Sequence, residues 1–456
     1  MSGGHADFTV FRDTARSAID LATRAGATAA DAVLVHTAAF GAGVRLGHVE
    51  KLSEARERRL GLRVFVGERS AIAGTADLTA DGLVRFVSDT VALARVTAPD
   101  PMSGLPDRTA LAIDIPDLDL YDDTAATPAP DSALERARVA EAAALGCDPR
   151  LSNSEGAEFS QEASTVAYAS TLGFAGCYRH SSFALAVEPV ASSEGKMQRD
   201  YWYARARHLR DLADPITIGR MAAARTLRRL GARRIPTQEA PVIFEAEVAA
   251  SLLRHLAGAV TGQSLYRGTS FLLGRLGETI ASPLVTVVDD GRLPNGHASR
   301  PFDAEGLPTR HTTLVDGGRL TSYLLDTYSA RRLALTSTGN AARAIADAPM
   351  AAPTNLYLQA GPHDPGEIVA SVERGLLVTE LIGFGVNQVT GDYSRGASGL
   401  WIEHGEIVYP VEEITIAGNL LDMLRDIEMV GNDLGFRSAI AAPTVKIRHM
   451  MIAGAS

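Results

Sequence analysis

The stretch PVIFEAEVAASLLRHLAGAVTG, residues 241–262, opens as a short apolar strand and passes directly into a helix. Val248, Leu252, Leu253, Leu256 and Val260 follow the three- and four-residue spacing that lays one apolar stripe along a helix. A strand feeding such a helix marks the start of a region, 237–456, that is otherwise rich in β-patterned and glycine-bearing sequence. The fold class expected is therefore α/β (α+β): N-terminal mixed α/β units, then a β-rich C-terminal domain with a helix near its start.

The same helix carries a chemical question. A zinc peptidase helix supplies two imidazoles that converge on one metal, with a carboxylate to activate the bound water. Here His255 is followed by Leu256, Ala257, Gly258 and Ala259, so no His-Glu-x-x-His spacing or longer variant is completed around it. A single histidine between leucines reads as a packing or surface residue.

Upstream, apolar spacing predicts a helix over residues 8–25 and strands at 32–36, 43–47, 60–66 and 70–74, with a tight turn at Gly67-Glu68. Thr79 is a good N-cap for a second helix, which completes an N-terminal α/β domain, 1–96. Six prolines fall between Val96 and Asp131, and residues 97–131 read as a linker. A middle domain, 132–236, opens with a capping box at Ser132 and Glu135 and continues as a meander at 163–170, 173–180, 182–189 and 197–207. A helix at 216–230 closes it. In the last region, hairpins are expected at Asp316-Gly317-Gly318 and His404-Gly405, whereas the glycines of 382–399 predict loops or strand edges.

Composition narrows the partners. The 456 residues are 46% hydrophobic and carry a formal net charge of -10, with no basic surplus to neutralise a phosphate backbone. Direct nucleic-acid binding is not expected. Two cysteines, Cys147 and Cys177, fit a reducing compartment. The segment MSGGHADFTVFRDTARS lacks the pattern of an export signal, and no run is long and apolar enough to span a membrane, so a cytoplasmic protein without membrane contact is expected.

Other motifs are weak. Gly383-Phe384-Gly385 lacks the third glycine of a dinucleotide fingerprint. His255, His297, His311, His363, His404 and His449 are scattered singly. Asp392, Tyr393, Ser394 and Arg395, read as part of a glycine loop, offer a turn ordered by Asp392, or donors for holding an extended peptide. Glu412 and Glu413 are adjacent, so a strand would point them to opposite faces and prevent an acid/base partnership.

Taken together, GLRVFVGERSAIAGTADLT (61–79), SLYRGTSFLLGRLGE (264–278), STGNAAR (337–343), PTNLYLQAG (353–361), TGDYSRGASGLWIEHGEIVYPVEEITIAGNL (390–420) and APTVKIRHMMIAG (442–454) resemble the TldD/TldE family of bacterial metalloproteases over essentially the whole chain. The resemblance is to the TldE (PmbA) branch, historically called modulators of DNA gyrase. TldD-type subunits carry a His-Glu-x-x-x-His helix and a late cysteine. At the matching positions this chain has Arg254 for the first histidine, His255 for the glutamate and Ala259 for the second histidine, and no cysteine follows Cys177. An arginine cation at the first ligand position would also repel a divalent metal. The resemblance implies a subunit with no catalytic residue, metal or other cofactor of its own, assembled with a TldD-type partner that holds zinc. Such complexes degrade unfolded polypeptides or trim the leader peptides of modified peptides, and Asp392, Tyr393, Ser394 and Arg395 are the substrate-contact candidates. Two alternatives stay open: an independent hydrolase using Ser394 or Asp392, and a peptide-binding adaptor without a role in proteolysis.

Overall fold

The computed structural model describes residues 8–454, so the opening residues of the segment read for an export signal lie outside it. Helices α1 (Thr9–Arg24) and α2 (Ala80–Val96) flank strands β1 (Ala29–Arg45), β2 (His48–Val66) and β3 (Arg69–Thr75). Thr79 caps α2 as expected, its hydroxyl accepting from the Gly82 amide. Then follow α3 (Pro130–Leu145), β4 (Leu151–Ser170), β5 (Ala175–Ser193), β6 (Lys196–Arg199), β7 (Trp202–Ala206) and α4 (Pro215–Leu227).

These strands build one antiparallel sheet in the order β3-β2-β1-β4-β5-β6, with β7 also paired to β5. The proline-rich segment thus divides the sequence but not the sheet, because β1 pairs with β4 from Asp31 opposite Ser170 to Val44 opposite Ala157. Along β1, Ala30, Ala32 and Leu34 pack beneath α1 and α2, while Phe40, Ala42 and Val44 pack with α3 and α4. All six share one parity and hence one face.

Several expectations are revised. The two short strands expected at 32–36 and 43–47 merge into β1, which ends at Arg45 with Leu46 and Gly47 in the turn to β2, and the meander between 163 and 189 is two long strands, β4 and β5. Polar residues in LSNSEGAEFSQE hid the first half of β4, where Leu151, Ser154, Ala157 and Phe159 are nonetheless buried. The capping box is not formed either. Helix α3 begins with Pro130 in its first turn, and its N-cap, Ala129, supplies no side-chain bond, so Ser132 and Glu135 lie inside the helix.

The C-terminal region contains β8 (Gln238–Phe244), α5 (Ala246–Val260), α6 (Gly262–Tyr266), β9 (Val287–Asp290), β10 (His311–Asp316), β11 (Arg319–Leu320) and α7 (Thr327–Arg332). It continues through β12 (Ala341–Ala342), β13 (Met350–Ala351), β14 (Asn355–Leu358), α8 (Pro365–Ala370), β15 (Arg374–Ile382), β16 (Asp392–Glu403) and β17 (Glu406–Asn419). The last elements are α9 (Leu420–Arg425), β18 (Ile427–Val430), β19 (Ile440–Ala441) and β20 (Val445–Ala453). Both predicted hairpins form, with positive φ at Gly317 and Gly318 and at His404 and Gly405, the twist that two-residue turns require.

Strands β17, β16, β15, β8 and β20 hydrogen-bond in that order, and Thr415 to Ala417 of β17 pair back with Met451 to Ala453 of β20. The sheet closes into a barrel, which removes open edges. A second sheet runs β11-β10-β9-β14-β19. Helix α5 touches β8 and β15 of the barrel and β14 and β19 of this second sheet, so it is clamped between the two. Its predicted inner face, Val248, Leu252, Leu253, Leu256 and Val260, is buried in the largest core together with Trp401, Ile414 and Ile416. The mixture of helices with a large sheet and a barrel is an α+β fold.

Candidate functional site

The N-cap of helix α5 is Glu245, whose side chain makes no capping bond and has both carboxylate oxygens engaged by arginines of α4 and its C-cap. Arg225 Nη1 and Arg228 Nη2 donate to Glu245 Oε2, and Arg228 Nη1 donates to Oε1, each at 2.9 Å. Burial alone would raise the Glu245 carboxyl, but the bonds and charges of Arg228 and Arg225 outweigh it and hold the group below its usual range. These contacts dock the start of α5 against the middle segment.

Glu247, Ser251 and Arg254 are spaced four and three residues apart and form the helix face turned away from the core stripe. They line a cavity of about 290 Å³ where α5 meets β7 and the end of β15. Opposite them stand Trp202 and Tyr203, and Glu380 and Arg395 complete the wall. Tyr201 and Tyr203 stack at 6.2 Å, and the Arg437 guanidinium lies 4.5 Å from the Trp202 ring centre.

The acids of this wall are neutralised locally. Asp200 faces Arg225 and Arg229, Glu380 accepts from Arg229 at 2.6 Å, and Glu247 pairs with Arg437. Arg254 and Arg395 make no ion pair or side-chain hydrogen bond with any other described residue. Arg395 Nε is buried without a partner among the described residues, as is the Ser251 hydroxyl.

The positions singled out in the sequence therefore fall into three places. Arg254 and Arg395 come together in the cavity. His255 lies beside it against the Tyr393 ring, with centroids 6.1 Å apart and planes at 82°. Its Nε2 is buried without a partner among the described residues, and burial first, then the charges of Arg395 and Arg254, hold the imidazole down at about 4. Ala259 is fully buried in the core and has no donor atom.

The predicted glycine loop is corrected by the structure. Asp392 to Arg395 open strand β16, which runs inside the barrel between β15 and β17. Strand alternation divides the four residues: Tyr393 is buried and Arg395 half-buried, whereas Asp392 and Ser394 are exposed and do not line the cavity. Asp392 accepts from the Thr390 hydroxyl at 2.6 Å. The loop proper is 383–391, where Phe384 is fully exposed. Glu412 and Glu413 also separate, Glu412 accepting from Gln198 and Glu413 pairing with Arg234.

Sequence reading missed Ser251, Glu380 and the Tyr201-Trp202-Tyr203 wall as site residues. The aromatic run was visible, but only as strand positions; nothing local shows that it faces α5 across the interface between segments.

The fold joins a long antiparallel sheet with its flanking helices to a C-terminal barrel against which helix α5 is clamped, and the family it belongs to is a metallopeptidase family in three parts. Family models described as PmbA/TldA metallopeptidase domain 1, central domain and C-terminal domain match residues 30–94, 123–230 and 237–454. The chain belongs to this PmbA/TldD family. Metalloprotease PmbA of Escherichia coli O157:H7 is 40% identical over 98% of this chain and 96% of its own length. A crystal structure from Bacteroides thetaiotaomicron VPI-5482, described as a modulator of DNA gyrase, superposes with a TM-score of 0.91 at 28% identity, covering 97% of this chain and 99% of that one. TldE from Thermococcus kodakarensis shares the fold, with a TM-score of 0.88 at 21% identity over 97% of this chain and all of the other.

Proposed function

We propose that this chain is the TldE/PmbA-type subunit of a cytoplasmic TldD/TldE metalloprotease, one that holds no zinc and leaves water activation to a TldD-type partner. The observation that carries the reading is the donor set on α5. Where two imidazoles and a carboxylate are needed, the chain presents a guanidinium at Arg254, an imidazole at His255 packed on Tyr393, and a methyl group at Ala259. This set does not fit zinc. Glu247, the acid of the helix face, is already paired with Arg437.

In this role the chain helps to enclose and hold an extended polypeptide, either an unfolded protein or the leader of a modified peptide. Its acidic balance supports no direct nucleic-acid contact, and no helix among the described residues is long and apolar enough to cross a membrane. The test is zinc content and hydrolysis of an unstructured peptide by the chain alone and after co-purification with a TldD-type subunit. Metal and turnover are expected only in the co-purified complex. Stoichiometric zinc with turnover in the chain alone overturns the proposal.

A further inference from the structure

The cavity beside α5 combines features that the missing metal chemistry does not explain. Two guanidinium groups, Arg254 and Arg395, face one space from a helix and a barrel strand, and neither has an acidic partner among the described residues. The acids around them, Asp200, Glu247 and Glu380, are each taken by other arginines. Ser251 is 7% exposed, and its hydroxyl, buried in the same wall, has no partner among the described residues. A buried polar atom left unsatisfied is costly, and two unpaired like charges facing one cavity repel. Both costs are relieved by an anion with several acceptor lone pairs.

We infer that this cavity is a binding site for a carboxylate of an extended polypeptide, held between Arg254 and Arg395 with the Ser251 hydroxyl as a third donor. A guanidinium matches a carboxylate through two parallel N–H bonds, the geometry in which arginine binds most selectively. Tyr201, Trp202 and Tyr203 supply aromatic side chains in the same lining for contact with the chain attached to that carboxylate. The neighbouring imidazole supports the electrostatics: the same two arginines contribute to holding His255 neutral. The carboxylate has two sources in a polypeptide, its C-terminus or an Asp or Glu side chain. The inference rests on the reading above only in taking a polypeptide as the source.

The experiment is calorimetric titration of the full chain, without partner, using three short Gly/Ser-rich peptides: one with a free C-terminus, its C-terminal amide, and the amide carrying one internal Asp. Binding of the free acid about tenfold or more tighter than the plain amide supports a C-terminal carboxylate site. Equal recovery by the Asp-bearing amide assigns the site to carboxylates in general. In either case Arg254→Gln and Arg395→Gln abolish the discrimination, and Ser251→Ala weakens it, in protein whose melting temperature matches wild type. Arg254→Lys restores it in part, because charge remains but the planar fork is lost.

Acid and amide binding alike, or discrimination that survives both arginine substitutions, overturns the inference. These results are independent of the zinc and partner assay. Carboxylate discrimination can stand if no TldD-type subunit associates, and a working complex can lack it.

Discussion

His255 shows how one side chain changes meaning with its surroundings. Between leucines on a helix it offered an incomplete metal motif; in the structure it is an imidazole kept neutral by burial and by Arg395 and Arg254. Its folded-state value of about 4 lies below that of an unfolded histidine, about 6.5. As the pH falls, the unfolded chain therefore takes up the proton first. The stability contribution of His255 is complete above about pH 6.5 and is lost between about 6.5 and 4. His180, held at about 4 by burial and then by Arg207 and Arg205, acts with the same sign. Urea midpoints measured at about pH 7 and about pH 5 should show a smaller acid loss in His255→Phe than in wild type, with a remainder due to His180 and to carboxylates. An unchanged difference would mean that the His255 imidazole titrates freely.

Helix α5 and strand β16 differ in how openly their sequences declare them. The α5 stripe was readable because helical periodicity and burial coincide at Val248, Leu252, Leu253, Leu256 and Val260. Strand β16 was readable only at its end, where it leads into the His404-Gly405 hairpin, since the first eight residues of DYSRGASGLWIE carry two glycines where a core strand ordinarily carries branched residues. The barrel supplies the reason. A Cβ on Gly399 would collide with the Leu377 carbonyl of β15, next to the irregular register between Val378 and Glu380. Gly399→Ala is expected to destabilise the chain by about 1–3 kcal/mol, read as a lower urea midpoint. The buried Trp401, two residues on, makes a second probe: Trp401→Ala should cost about 3–5 kcal/mol through the cavity it leaves. Retention of wild-type stability in both would place β16 outside the load of the core.

The first sheet and the C-terminal region are joined by a buried ionic network. Arg63 Nε donates to Asp31 Oδ2 at 2.9 Å, Arg343 Nη1 donates to Asp31 Oδ1 at 2.7 Å, and Arg63 also reaches Glu305. Burial would raise the Asp31 carboxyl, but Arg343 and Arg63 prevail and hold it below its usual range. Beside it the backbones close up, because a Cβ on Gly61 would strike the Ile345 carbonyl. Asp31→Asn leaves two guanidinium groups buried with too little negative charge and is expected to cost about 3–5 kcal/mol. Equilibrium unfolding followed by both far-UV circular dichroism and tryptophan fluorescence should show the loss across the transition. Wild-type stability in Asp31→Asn would show that the network does not couple the two regions.

What the sequence determined by itself follows from local rules. Periodicity, turn chemistry and caps set α1, α2, α5 and the hairpins at Gly317-Gly318 and His404-Gly405. The family resemblance drew attention to Arg254, His255 and Ala259 on α5. Tertiary structure decided what no local signal encodes. It fused the strands on both sides of the proline-rich segment into one sheet, closed the last region into a barrel, and made residues 392–399, read as loops or strand edges, the first part of strand β16. It also brought Arg395, Ser251 and the 201–203 aromatics to Arg254. Those residues are far apart in sequence and acquire a common chemistry only because pairing and packing place them around one cavity.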